Sequence, residues 1–212
     1  MSPLVPAAVT GVAMLALLVS ERRAWRAGIW IAKPLASTGF VAVAVIAGAL
    51  ETGYGVAVLS ALVLSWLGDV LLIPKGASRI FLAGLVSFLL GHVGFVVAFW
   101  MRAPAIPWVA GVLVVLIPVG LGVLRWLQPH LPEKMRSPVI AYVVVISLML
   151  ATAVGAAATT ERVAIAVGAF CFYLSDLHVA RDRFVSRSFW NKSWGLPLYY
   201  GAQLILACTV SP

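Results

Sequence analysis

Eight apolar stretches of about 20 residues follow one another along the chain, with only short connections between them. The hydrocarbon core of a bilayer is about 30 Å thick, and a helix needs about 20 mainly apolar residues to cross it. The sequence therefore predicts an all-α integral membrane protein with eight transmembrane helices, forming a single polytopic domain over residues 1–212. The predicted spans are approximately 4–20, 29–50, 54–74, 80–101, 105–124, 137–156, 161–181 and 193–210.

The scarcity of charge excludes a soluble protein. Charged residues make up 10% of the 212-residue chain and hydrophobic residues 63%. A typical soluble domain is about 25% charged, so this chain has too few polar groups to cover a globular surface. The net charge of +8 fits basic loops beside a membrane, and no nucleic-acid partner is expected.

The basic residues are distributed unevenly between the two ends of the predicted spans. Thirteen of the 15 lie on the side of the first, third, fifth and seventh connections: Arg22, Arg23, Arg26, Lys33, Lys75, Arg79, Arg125, Lys134, Arg136, Arg181, Arg183, Arg187 and Lys192. Only Arg102 and Arg162 lie on the other side. Basic residues collect in cytoplasmic loops. This distribution predicts that both termini face away from the cytoplasm, most simply in a bacterial inner (plasma) membrane.

The two halves of the chain show a weak internal similarity. A shift of 107 residues places Asp69 on Asp176 and His92 on Tyr199. Four spans per half would give two halves of the same orientation, as in parallel-repeat membrane folds. Chance similarity between apolar helices is the alternative. A duplication would bring Asp69 and Asp176 to one depth on one side of the membrane.

Two acidic residues lie within apolar stretches, whereas the other five fall in loops or near span ends. They are Asp69 and Asp176. A charged side chain at the bilayer centre costs at least about 2.5–3.5 kcal/mol on insertion scales, so such a residue is by default a functional hypothesis. The alternative is a structural hydrogen bond, or a carboxylate close enough to the interface to stay hydrated.

Two further polar residues have both a functional and a structural interpretation. His92 lies deep in the fourth span, where it is either a member of the site or a hydrogen-bonded core histidine. Lys33 precedes Pro34 and could simply extend its ammonium group to the interface. The sequence contains no Gly-rich phosphate loop, HExxH or GxSxG motif, and its two cysteines lie in apolar stretches. We therefore expect no metal site and no cofactor.

Five short motifs in order resemble those of the YhhN family, which includes the eight-span lysoplasmalogenases. They are Lys33-Pro34, Ser65-x-x-Gly68-Asp69, Phe81-x-x-Gly84-x-x-x-Phe88-x-x-x-His92, Leu174-Ser175-Asp176 and Tyr199-Tyr200-x-x-Gln203. The similarity runs from about residue 30 to 206, nearly the whole chain. His178 departs from the pattern, because a small polar residue is expected there.

The resemblance implies a hydrolase that cleaves the vinyl-ether bond of lysoplasmalogens to a fatty aldehyde and a glycerophospho-ethanolamine or -choline. Such a reaction needs an acid that protonates carbon and a second, ionised group that stabilises an oxocarbenium ion or activates water. Two carboxyl groups in unlike surroundings supply both, and Asp69 and Asp176 are the candidate pair, with His92 as a third candidate catalytic residue. The implied substrate-binding residues are Lys33, Ser65, Ser175, Tyr199, Tyr200 and Gln203.

A basic rim on the same side is suited to receive a lipid phosphate. Its members are Lys33, Lys75, Arg79, Arg181, Arg183 and Lys192. The expected partners are therefore a lysophospholipid substrate and membrane lipids. Two alternatives remain: a proton-linked lipid or solute carrier that uses the same Asp pair, and a structural protein with two buried, hydrogen-bonded Asp residues.

Overall fold

The protein is an all-helical bundle in a computed structural model that describes residues 2–74 and 78–211. Within these residues the eight α-helices lie where the apolar stretches predict them, and no strand occurs. A 3₁₀ turn, Gln128–His130, extends the fifth helix, and a π-helical turn, Arg181–Val185, extends the seventh. The helices are α1 (Leu4–Arg22), α2 (Arg26–Ile46), α3 (Gly53–Leu71), α4 (Ser78–Trp100), α5 (Ile106–Leu127), α6 (Glu133–Thr160), α7 (Val163–Ala180) and α8 (Phe189–Cys208).

Local chemistry explains several helix ends. The Thr52 side chain accepts a hydrogen bond from the Gly55 amide at the start of α3, and Ser188 accepts one from Trp190 at the start of α8. Both satisfy backbone donors that a first helical turn leaves unpaired. α6 ends at Thr160, and the next residue, Glu161, has a positive φ of 57° that does not continue the helix. The capping Ser188 begins α8 four residues before the predicted span.

Seven of the helices in the described part of the chain are long and apolar enough to cross a membrane. The protein is therefore an integral membrane protein, as predicted. The eighth helix, α8, has 20 residues but is not among the seven. Its first half contains Asn191 and Lys192, and its second half contains Tyr199, Tyr200 and Gln203, which lower its mean hydropathy. An eighth span is thus not established by length and composition alone.

The packing of α1–α4 recurs in α5–α8. In each half the first helix packs on the second, the second on the third and the third on the fourth. The halves meet through α4 against α6 and through α8 against α2, which are equivalent contacts if the halves are exchanged. One difference stands out: α1 also packs against α8, whereas α5 packs mainly against α6.

Small residues bring α3 and α4 together beside the polar positions. A Cβ atom at Gly91 would lie 3.1 Å from Ser65 Oγ, and one at Gly68 would lie 2.6 Å from the Phe88 ring. The core around this contact is aromatic: Phe40, Phe95 and Phe172 are fully buried. Because side chains in a membrane bundle gain little from leaving lipid, such close packing is a main source of helix association.

Candidate functional site

A cavity of about 510 Å³ lies at the helix ends that carry most of the basic residues. All eight helices and the π-helical turn contribute to its wall. Asp69 and Asp176, predicted from the sequence as a pair, both line it. Lys33, Ser175 and Tyr199 also line the cavity, whereas His92 lies behind the wall and is 1% exposed.

Asp69 is buried within a cluster of donors from α2 and α8. Its Oδ1 lies 3.2 Å from the Lys33 ammonium nitrogen. Its Oδ2 accepts hydrogen bonds of 2.6 Å from both Ser37 Oγ and Tyr199 Oη. Asp69 as a whole residue is only 2% exposed. Its partners are thus one basic side chain and two hydroxyl donors, all of which direct hydrogen at the carboxylate oxygens.

Asp176 accepts a hydrogen bond of 2.8 Å from Tyr142 Oη on α6. The same oxygen, Oδ2, lies 3.3 Å from His92 Nε2 on α4. Its side chain is 14% exposed, compared with 3% for that of Asp69. Asp176 is thus the carboxyl group with better access to the cavity, and no lysine or arginine contacts it within the described residues.

The His92 ring links the backbone of its own helix to Asp176. Nδ1 is 2.7 Å from the Phe88 carbonyl oxygen, which only accepts, so Nδ1 carries hydrogen. Nε2 then faces Asp176 Oδ2 across 3.3 Å without the alignment of a hydrogen bond. His92 and Asp176 together form a neighbouring imidazole–carboxyl pair.

A layer of aromatic rings separates the Asp69 cluster from the Asp176 cluster. The Phe172 ring lies 4.4 Å from the His92 ring and 5.5 Å from the Tyr199 ring, measured between centroids. The Phe88 ring lies 5.9 Å from that of Tyr199, while its carbonyl holds His92. The two acidic clusters are therefore joined by shared packing as well as by the cavity.

The remaining predicted residues on the helices lie at the edge of these clusters. Tyr200 Oη lies 3.4 Å from Ser37 Oγ and from the Lys33 carbonyl. Gln203 is fully buried, and neither end of its amide has a partner among the described residues. Ser175 donates to the Gly195 carbonyl and ties α7 to α8. Ser65 donates to the Ala61 carbonyl and does not line the cavity.

The predicted basic rim divides into residues that line the cavity and residues that do not. Lys33, Arg183 and Lys192 line it, together with Arg22 and Arg187. Arg79 and Arg181 are exposed and lie outside its wall, because their positions on their helical turns point them away from the bundle axis. Lys75 lies outside the described residues.

Three residues of the site did not emerge from the sequence. Ser37 and Tyr142 donate to the two carboxylates, and Glu21 pairs with Lys192. A signal for Ser37 existed, because it lies four residues after Lys33 and thus on the same helix face. No comparable spacing marked Tyr142, which lies among apolar residues of α6.

The chain matches the YhhN family over residues 28–210. It is 34% identical over 145 residues to the lysoplasmalogenases of Mycobacterium bovis and Mycobacterium tuberculosis, covering 66% of this chain and 53% of each relative. It is 32% identical over 152 residues to lysoplasmalogenase TMEM86A of Bos taurus, covering 69% of this chain and 61% of the relative. The matches thus span between half and two thirds of the length of these curated relatives.

No solved structure gave a significant match. The family match extends over nearly the whole chain and includes both acidic clusters, from Lys33 to Gln203. It confirms the resemblance inferred from the five motifs. The chain belongs to the YhhN family.

Proposed function

We propose that this protein is an intramembrane hydrolase that cleaves the vinyl-ether bond of lysoplasmalogens. The support at family level is that the relatives are lysoplasmalogenases by name. The observation that carries the proposal is a single cavity lined by two carboxyl groups with unlike partners, Lys33 at Asp69 and His92 at Asp176. Acid and base roles follow from such unlike surroundings.

The first step transfers a proton to the β-carbon of the vinyl ether. The Asp176–His92 pair is the proposed donor, since the two groups lie 3.3 Å apart and Asp176 lines the cavity. The alkene π electrons form the new C–H bond, and the ether oxygen shares its lone pair to give an oxocarbenium ion. Electrostatic stabilisation of that cation is assigned to the carboxylate of Asp69, whose partners are Lys33 and two hydroxyl groups.

Water then adds to the oxocarbenium carbon. It loses a proton to a carboxylate and leaves a neutral hemiacetal. Collapse of the hemiacetal breaks the C–O bond to glycerol: its hydroxyl proton passes to a carboxylate as the carbonyl forms, and the site donates a proton to the departing oxygen. The products are a fatty aldehyde and a glycerophospho-alcohol, with one water consumed and the proton recovered by the site. General acid–base catalysis of this kind contributes about 10²–10⁴-fold to a rate.

We also propose that α8 is an eighth span and that the two four-helix halves lie in the membrane in the same orientation. The support is the recurrent packing of the two halves and the excess of basic residues on one side. Both termini then lie outside the cytoplasm. A cysteine placed at Ser211, in a Cys171→Ala/Cys208→Ala background, should react with an impermeant maleimide in intact cells. Labelling only after cell lysis would contradict this topology.

The activity test is aldehyde release by the purified protein in lipid nanodiscs, with alkenyl and acyl lysolipids side by side. We expect aldehyde from the alkenyl substrate and no fatty acid from the acyl lipid, because an acyl ester offers no carbon to protonate. No aldehyde from any alkenyl lysolipid would refute the hydrolase. Proton-coupled uptake of lysolipid in proteoliposomes would then favour the carrier.

A further inference from the structure

The cavity has two chemically different walls. One wall is apolar and is built by α4, α5 and α6. Its residues are Phe81, Leu85, Phe88, Val123, Leu127, Val139, Val143 and Ile146. The second wall carries the charged groups of α1, α2, the π-helical turn and the start of α8. These two walls favour one orientation of a single-chain amphiphile, with its acyl or alkyl chain on the apolar wall and its headgroup on the charged wall.

Most charged side chains of that second wall are already engaged. Lys33 is paired with Asp69. Asp182 accepts from the Ser188 amide at 3.0 Å and from Asn191 Nδ2 at 3.3 Å, which fixes the turn into α8. The Arg183 guanidinium stacks on the Phe81 ring at 3.8 Å from its centroid. These contacts shape the wall rather than offer a free ligand group.

The Glu21–Lys192 ion pair is different because it joins two helix ends and contacts neither acidic cluster. Glu21 lies in the last turn of α1 and Lys192 in the first turn of α8, and both line the cavity. Their side chains are 15% and 28% exposed, respectively. Neither has another polar side-chain contact within the described residues. Arg187 also lines the cavity and is exposed, so it is a second cation available on this wall.

We propose that the Glu21–Lys192 pair opens to bind a zwitterionic headgroup that carries a primary ammonium, with the ammonium on Glu21 and the phosphate on Lys192 and Arg187. This inference rests on the proposed function. Exchange of one ion pair for another keeps every charge neutralised, whereas a phosphomonoester would leave Glu21 unpaired and facing a like charge. A primary ammonium donates hydrogen bonds to a carboxylate, and a quaternary ammonium has none to give.

The expected order of affinity is therefore phosphoethanolamine first, phosphocholine second and phosphomonoester last. The probes are 1-O-alkyl lysolipids with these three headgroups, which lack the vinyl group and cannot be cleaved. Their dissociation constants are measured on the purified protein in nanodiscs, by displacement of a fluorescent alkyl lysolipid. This readout does not depend on turnover.

Glu21→Gln should weaken binding of the ethanolamine analogue about tenfold and leave the phosphomonoester analogue unchanged or tighter, because only the ammonium loses a charged partner. Glu133→Gln is the matched control. Glu133 is exposed at the start of α6 and lies outside the cavity, so the same change in net charge there should leave all three affinities unchanged.

A swapped variant, Glu21→Lys with Lys192→Glu, guards against loss of the α1–α8 contact. It keeps an ion pair between the helices but exchanges the positions of the carboxylate and the ammonium, so the preference for ethanolamine should disappear while the protein stays folded. Equal affinities for the three headgroups in the wild type, or an equal loss for all of them in Glu21→Gln, would overturn the proposal. Those results leave aldehyde release intact, whereas failure of the hydrolase appears as no aldehyde from a protein that still binds the analogues in this order.

Discussion

Asp69 and Asp176 occupy equivalent places in the two halves, and most of their contacts correspond. Each accepts a hydroxyl hydrogen bond from the helix before its own, from Ser37 on α2 or Tyr142 on α6. Each also contacts a ring from the fourth helix of the other half. Tyr199 donates a hydrogen bond to Asp69, and His92 contacts Asp176. These two rings are related by the same shift of 107 residues that relates the acids.

The difference between the two clusters is a cation. Lys33 lies 3.2 Å from Asp69, and the corresponding stretch of α6, around Ser137 and Pro138, contains no basic residue that reaches Asp176. Asp69 thus has an ammonium partner, whereas the nitrogen base next to Asp176 is an imidazole. A nearly symmetric scaffold gives the two carboxyl groups unlike surroundings, as the proposed acid–base chemistry on one substrate needs.

Removing either carboxylate should have the largest effect. Asp176→Asn and Asp69→Asn each retain size and hydrogen bonding but lose the acid proton or the negative charge. Each should lower kcat by at least about 100-fold, and the double variant should be little worse than either single one because the pair acts as a unit. Aldehyde release measured at saturating substrate checks this.

Helix content and detergent stability close to the wild type are the control for these Asn variants. If both remain folded and keep nearly full aldehyde release, the two-carboxylate mechanism is wrong. His92 would then become the leading acid.

His92→Gln tests the contribution of the imidazole that lies beside Asp176. The amide can still donate to the Phe88 carbonyl but cannot exchange a proton with Asp176. We expect kcat to fall about 10–100-fold, a smaller effect than that of Asp176→Asn because the carboxyl group remains. A matched His178→Gln variant, at a histidine that lines the cavity without contacting either acid, should retain kcat within about threefold.

Lys33→Met tests the cation that distinguishes the Asp69 cluster from the Asp176 cluster. If Lys33 acts through Asp69, kcat falls about tenfold with little change in KM, because the variant leaves a buried carboxylate without its cation. If Lys33 instead binds the lipid phosphate, as the sequence alone suggested, KM rises and kcat holds. Steady-state kinetics with one alkenyl lysolipid separate the two outcomes.

The smallest effects should come from the two tyrosine hydroxyl groups. Tyr142→Phe and Tyr199→Phe each remove one hydrogen bond to a carboxylate that keeps other partners, worth about 1 kcal/mol or roughly fivefold in rate. Under the proposed roles, Tyr199→Phe destabilises the negative charge of Asp69 that faces the oxocarbenium ion, and turnover therefore slows. An effect of 100-fold from either variant would move the tyrosines into the chemistry itself.

The sequence predicted much of the fold because a bilayer imposes a length and a composition on every span. Seven helices meet that requirement as predicted, and α8 falls short because polar residues of the site lie on it. The same rule identified the acids. Charge is so costly among apolar residues that Asp69 and Asp176 stood out without any structural information.

What contacts each carboxyl group was decided only by the tertiary structure. Helix rotation and crossing place Ser37 and Tyr142 beside the acids, direct Lys33 to Asp69, and put His92 of the first half on Asp176 of the second. Apolar periodicity around a membrane helix is weak, since lipid and protein interior are equally apolar, so sequence shows which residues are polar but not which of them meet. Composition and position determined that this chain lies in a membrane with two acids inside apolar stretches; the packing of α2, α4, α6 and α8 made their surroundings unlike.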